Sequence, residues 1–249
     1  MIVLAVDCGN TRVKWGWHAG NAGDAASARW LGQGVAAHAD LASLGDEWTG
    51  LAARFGQPDR IAIANVGGAA LHDTLRVLLL GLEAEPVWIR SQARQCGVVN
   101  AYRDPEQLGC DRWAALIGAW ALERRACLVV GAGTATTVDT LSATGEFLGG
   151  LILPGFDMMR TALAKGTAGL PLADGEAEEF PKSTSAAIWN GCRAAQAGAV
   201  ERMWRALPGA AVCLLAGGGA AALAPALNLP VRVVDNLVLE GLLRIALEP

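Results

Sequence analysis

The stretch AVDCGNTRVKWGW, residues 5–17, decides how this chain is read. An apolar run ends in Asp7, a Cys-Gly-Asn-Thr turn follows, and the residues then alternate. Val13, Trp15 and Trp17 fall on one side, Arg12 and Lys14 on the other. Alternation is strand periodicity, so the turn is expected at the tip of a hairpin and not at the entry to a helix. A P-loop is excluded on the same ground, and no G-x-x-x-x-G-K-[ST] occurs in the chain. A tip of Gly, Asn and Thr offers backbone N–H groups and a hydroxyl to phosphate oxygens. Asp7, where the strand ends, suits a magnesium ion held through water. The alternative is an ordinary hairpin turn.

The pattern returns in ACLVVGAGTATTVDTL, residues 126–141: apolar strand, Gly-x-Gly-Thr turn, second strand. GEFLGGLILPG (145–155) continues it as a third strand. A dinucleotide fingerprint fails here, because Thr136 holds the third glycine position and the β-branched TATTVDT is unlike a first helical turn. Two such tips imply an internal duplication: two αβ domains, each opening with an antiparallel hairpin. The join is expected near or within the helix of residues 110–125, giving domains 1–115 and 116–249.

Between and after the tips, residues 60–66 and 86–90 read as strands. Residues 40–55, 69–82, 109–125, 185–206 and 236–247 read as helical. PLADGEAEEFPKSTS (171–185) is bounded by prolines and carries four acids between 174 and 179, as an exposed loop or lid does. Residues 206–231 carry no charge, but three prolines, a Gly triplet and Asn228 fit a strand (211–216), a glycine turn and a short helix better than a membrane span.

The chain has 249 residues, is 53% hydrophobic and 18% charged, and has a net charge of −4, so a large core is available. With no basic run, nucleic acid is not the expected partner. Six cysteines without a C-x-x-C pair and only three histidines argue against a zinc site and for reduced thiols in a cytoplasmic protein. No signal peptide is expected.

LGCDRWAAL places Asp111 ahead of an apolar-periodic helix. The helix N-terminus favours a negative charge there, so Asp111 reads as a cap, as a base taking a proton from a substrate hydroxyl, or as both. Arg112 beside it is either a surface residue or a ligand for an anionic substrate group. In STSAAIWNG (183–191), Ser or Thr caps a helix, and Thr184 is the candidate.

With these residues in view, the chain resembles the type III pantothenate kinases, the group that includes the Bvg accessory factors. DCGNTRVKWG, AYRDPEQLGCDR, GTATTVD, GGLILPG and TSAAIWNG match five ordered motifs of that family. The resemblance implies two RNase H-like domains of the acetate and sugar kinase/Hsp70/actin superfamily, with a nucleotide cleft between them. It implies an enzyme that moves the γ-phosphoryl of ATP to pantothenate, the first step of coenzyme A biosynthesis. Asp7, Cys8, Gly9, Asn10, Thr11, Arg12, Val13 and Lys14 would form the phosphate segment, with Asp7 positioning Mg2+ and Thr134 contacting ATP. Asp111 would be the general base. Tyr102, Gly109, Cys110, Asp111, Arg112 and Thr184 would hold pantothenate in a pocket completed across a homodimer interface. Gly131 stands where the family commonly carries an Asp that binds potassium or ammonium, so no strong activation by a monovalent cation is expected. Two other readings stay open: a non-catalytic transcriptional accessory protein on the same fold, and a kinase for another small hydroxylated substrate. Retained Asp7, Asp111, Arg112 and Thr134 favour the enzyme.

Overall fold

The computed structural model describes residues 1–20 and 29–248. They divide into two compact units, one of residues Met1–Leu122 with the chain from Asn236 onward, the other Glu123–Asp235.

The first unit opens with β1 (Ile2–Cys8) and β2 (Arg12–Ala19), antiparallel and in register from Ile2↔Ala19 to Cys8↔Val13. The opening stretch is therefore a hairpin, as its alternation requires. β3 (Arg29–Ala37) pairs antiparallel with β2. After α1 (Leu44–Phe55), β4 (Arg60–Asn65) runs parallel to β1; after α2 (Ala69–Leu78), β5 (Pro86–Trp88) runs parallel to β4. The sheet order is β3-β2-β1-β4-β5. Leu4, Val6, Cys8, Val13, Trp15 and Trp17 face one core, against Trp48 of α1 and Leu71 and Leu75 of α2. Trp17 is wholly buried, and truncating it to Ala would cost about 3–5 kcal/mol. Short strands β6 (Arg94–Gln95) and β7 (Val98–Asn100) form a hairpin ahead of α3 (Cys110–Glu123).

The second unit repeats the plan. β8 (Cys127–Ala132), β9 (Ala135–Leu141) and β10 (Glu146–Pro154) form an antiparallel meander. After α4 (Phe156–Gly166) and α5 (Thr184–Ala206), β11 (Val212–Ala216) runs parallel to β8. A short α6 (Ala220–Leu223) leads to β12 (Val231–Val233), parallel to β11. The order β10-β9-β8-β11-β12 reproduces β3-β2-β1-β4-β5 with the same strand directions, which makes the duplication explicit. The uncharged stretch 206–231 is strand, turn and short helix, and among the described residues no helix is long and apolar enough to cross a membrane.

The division of the chain differs from the expected 115/116 boundary in two ways. Almost all of α3 stays in the first unit, and α7 (Leu237–Leu247) returns to it, packing on β1, β2 and β4. Two glycines explain the return. A Cβ on Gly241 of α7 would run into the carbonyl of Ala114 in α3, and one on Gly118 would lie 2.5 Å from the carbonyl of Leu237. Only backbone-to-backbone packing of the two helices fits there. Seven apolar residues of α7, among them Leu239, Leu242 and Leu243, are buried by this docking.

Segment 167–183 has no regular structure, as a loop should. It is nonetheless anchored. The Asn190 side chain donates to the carbonyl of Glu176 and accepts from the N–H of Glu178. Arg160 donates to the carbonyl of Ala173 and pairs with Asp174.

Candidate active site

In the first unit the candidate residues Asp7, Lys14 and Asp111 come together at one end of the sheet. Alternation along β1 sends Leu4, Val6 and Cys8 into the apolar core and Asp7 to the opposite face. Val13 of β2 also faces that core, so Cys8 and Val13 have only backbone to offer an anion. Lys14 is the register partner of Asp7. The tip is closed by the Gly9 N–H donating to the carbonyl of Arg12 (3.1 Å), and it leaves Asn10, Thr11 and Arg12 exposed.

The start of α3 comes to the same place. Asp111 is close enough to Asp7 for its charge to matter. Burial first, and then the Asp111 charge, push the Asp7 carboxyl up to about 7, with Lys14 pulling the other way. The Asp7 position therefore favours a proton or another cation. Burial, and then the Asp111 charge, raise the Cys110 thiol to about 11, while the backbone of Asn65, at the end of β4, pulls the other way. Burial raises the Cys8 thiol as well.

The cap of α3 differs from the expectation. The first helical bond runs from the Trp113 N–H to the carbonyl of Gly109 (2.9 Å), so Gly109 takes the cap position and Asp111 lies inside the first turn. Its carboxylate accepts from the Arg112 N–H at 2.8 Å. A Cβ at Gly109 would come within 2.6 Å of that carboxylate oxygen, so the glycine leaves the carboxylate room. Arg112 is a buried residue and not a surface one. Its guanidinium donates to the Tyr102 hydroxyl at 3.3 Å and lies 5.9 Å from the centre of that ring. Tyr102 is held through its N–H by Asn100 Oδ1 (3.1 Å), and Asn100 Nδ2 donates to the carbonyl of Pro105 (3.2 Å). The motif from 101 to 112 thus folds into a compact loop that brings Tyr102 to Arg112.

Thr134 and Thr184 belong to the second unit. Thr134 is exposed at the tip between β8 and β9, where the Gly133 N–H donates to the carbonyl of Ala135 (3.1 Å). Gly155 holds this tip from one side, its N–H donating to the carbonyl of Thr134 (2.9 Å), and a Cβ there would strike that carbonyl. The Gly219 N–H donates to the carbonyl of Ala132 (3.0 Å), and a Cβ on Gly217 (φ +101°) would strike the same backbone. The glycine turn after β11 therefore lies against the end of β8, a neighbour that only the parallel pairing of the two strands brings to it. Thr184 is exposed as the first residue of α5, and the cap is Ser183, whose hydroxyl accepts from the Ala186 N–H at 3.1 Å.

Among the described residues no group of three His, Cys, Asp or Glu converges as metal ligands. Asp7, with the Asp111 carboxylate near it, offers few protein oxygens, which fits magnesium bound mostly by water and phosphate oxygens.

Comparison with known proteins shows the family and the fold. A family profile described as type III pantothenate kinase matches residues 3–206. A type III pantothenate kinase of Nitrosospira multiformis is 50% identical over 251 aligned residues, covering 99% of this chain and 92% of its own. That of Aromatoleum aromaticum is 50% identical over 250, covering 99% and 98%. Among solved structures, a Baf family protein from Campylobacter jejuni superposes with a TM-score of 0.56 at 19% identity, covering 97% of this chain and 96% of its own. A proposed 2-dehydro-3-deoxygalactonokinase from Sinorhizobium meliloti gives 0.58 at 14%, covering 98% of each chain. These structures share the fold of the sugar kinase, Hsp70 and actin superfamily.

Proposed function

The chain belongs to the type III pantothenate kinases, and from that premise we propose how its residues divide the work of phosphorylating pantothenate with ATP, the first step of coenzyme A biosynthesis. The observation that carries the division is the meeting of Asp7 and Asp111 at one end of the first sheet. Phosphoryl transfer asks a protein mainly for positioning and charge neutralisation.

Asp111 takes the proton of the pantothenate primary hydroxyl as that oxygen attacks the γ-phosphorus. Gly109 leaves room for its carboxylate, and the Arg112 N–H orients it. The Arg112 side chain, with Tyr102, Gly109, Cys110 and Thr184, holds pantothenate, and the guanidinium suits its carboxylate. The phosphate segment is Asp7 to Lys14, in which Cys8 and Val13 serve through backbone. Thr134 contacts ATP from the second tip. Asp7 positions magnesium, which neutralises phosphate charge when bound. Gly131 supplies no carboxylate, so dependence on potassium or ammonium is weak.

Further parts of the reading concern the assembly. The chain acts as a homodimer whose partner completes the substrate pocket. In support, Met158 of α4 and Leu148, Leu151 and Ile152 of β10 are exposed apolar side chains. Neither nucleic acid nor membrane is a partner. The location is the cytoplasm, in keeping with six free cysteines.

An ADP-release assay with ATP and magnesium tests the reading. Turnover is expected with pantothenate and not with sugars; turnover with sugars alone would overturn it.

A further inference from the structure

His38 lies outside every motif that marks the family resemblance, yet it touches the first tip. β3 pairs with β2 up to Arg12↔Ala37, so the next residue along the chain, His38, emerges level with the hairpin turn. Its Nε2 is 3.0 Å from the carbonyl oxygen of Gly9, and the ring is exposed. Because a carbonyl can only accept, that nitrogen carries the proton.

The same carbonyl is confined from the other side. A Cβ on Gly67 would lie 3.1 Å from it. Gly67 is itself fixed, its N–H donating to Asn65 Oδ1 at 2.9 Å, while the Val66 N–H donates to the carbonyl of Cys8 at 3.0 Å. The Gly9–Asn10 peptide thus has the end of β4 on one side and His38 on the other. In a trans peptide the N–H points opposite to the carbonyl. Holding the Gly9 carbonyl therefore fixes the direction of the Asn10 N–H, a donor on the exposed tip. Glycine at position 9 makes this peptide plane easy to rotate, which is why an outside hold has an effect.

We propose that His38 is a positioning residue for ATP, fixing the Gly9–Asn10 peptide so that the Asn10 N–H is set for a phosphate oxygen. The role rests on the assignment of the first tip to the phosphates of ATP. The bond is made by the ring nitrogen farther from the backbone. Glutamine can present an N–H at a similar reach and asparagine cannot.

The test compares His38→Ala, His38→Gln and His38→Asn in the full chain, with Thr11→Ala as the control for the tip itself. Steady-state kinetics, calorimetric titration with MgADP and thermal melts are measured for each. His38→Ala is expected to raise the KM for ATP about two- to tenfold, the range of one hydrogen bond, and to weaken MgADP similarly. The KM for pantothenate and the Tm should hold. His38→Gln should recover most of the loss and His38→Asn should not. An unchanged ATP KM in His38→Ala, with Thr11→Ala impaired, overturns the role of His38 and leaves the tip assignment standing. If both variants bind nucleotide normally, the tip assignment falls and the inference with it. A glutamine variant as weak as alanine also overturns the inference, since the ring would then act by packing.

Discussion

One step back from the tip of the first hairpin stands Asp7, paired across the strands with Lys14; the same register position in the second hairpin holds Gly131, paired with Thr137. The last pairs, Cys8↔Val13 and Ala132↔Thr136, fix the equivalence. The duplicated folds thus carry unlike chemistry. Charge is gathered in the first unit, where Asp7 feels the charges of Lys14 and Asp111, and Arg112 follows Asp111 in α3. The second tip is neutral, made of backbone and hydroxyls and shaped by Gly155 and Gly217. Groups that stabilise changing charge act on the transition state, whereas a neutral cradle binds ground state and transition state about equally. Substitutions of the charged groups in the first unit should therefore appear mainly in kcat, and those around the neutral second tip mainly in KM.

The hardest test of that contrast is Asp111→Asn. It keeps the shape of the first helical turn and removes the proposed base. We expect a fall in kcat of about 10²–10⁴-fold with little change in nucleotide affinity by calorimetry. Near-normal turnover would reduce Asp111 to a helix-terminus residue. Asp7→Asn should come next, on the order of 10²-fold, partly offset by raised magnesium because the missing charge weakens the ion's hold. A magnesium titration of both proteins reads this directly.

On the second side, Gly155→Ala forces a Cβ against the carbonyl of Thr134. Overpacking of this kind costs about 1–3 kcal/mol and should lower Tm while raising the KM for ATP more than it lowers kcat. A kcat collapse at unchanged KM would break the proposed division. Thr184→Val is milder: loss of one hydroxyl bond, about 0.5–1.5 kcal/mol, raises the KM for pantothenate and not that for ATP. Tm should stay put, because Ser183 makes the cap; Ser183→Ala is the variant that should lower it.

The smallest effect concerns the position that distinguishes the tips. Wild-type activity should change little when potassium replaces a large organic cation at constant ionic strength. Gly131→Asp should introduce or strengthen a potassium response. A new Cβ would lie 2.9 Å from Thr137 Oγ1, a contact that rotation of the threonine can relieve. Saturable potassium activation of the wild type would mean that another carboxylate, such as buried Asp139 on the same strand pair, supplies the charge.

The amino-acid sequence by itself determined the two hairpins, because period-2 alternation on both sides of a Gly-rich turn leaves a chain few other ways to bury Val13, Trp15 and Trp17. It also determined the residue types of the site, since Asp, Thr, Gly and Arg at fixed spacing keep their meaning wherever the segment sits. Tertiary structure decided what depends on contacts between distant segments. The return of α7 to the first unit follows from Gly118 and Gly241 allowing two backbones to touch, a match between positions 123 residues apart that no local pattern carries. The caps moved by one or two residues, to Gly109 and Ser183, because a cap is set by backbone angle and hydrogen-bond reach, and several neighbouring residues could each have served. Arg112 is buried and donates to Tyr102, which an Asn100-braced loop holds in place, a meeting that local sequence does not announce. His38 was illegible for the same reason: a lone histidine after a strand has no signature, and its meaning comes from strand register, which sets it level with the carbonyl of Gly9.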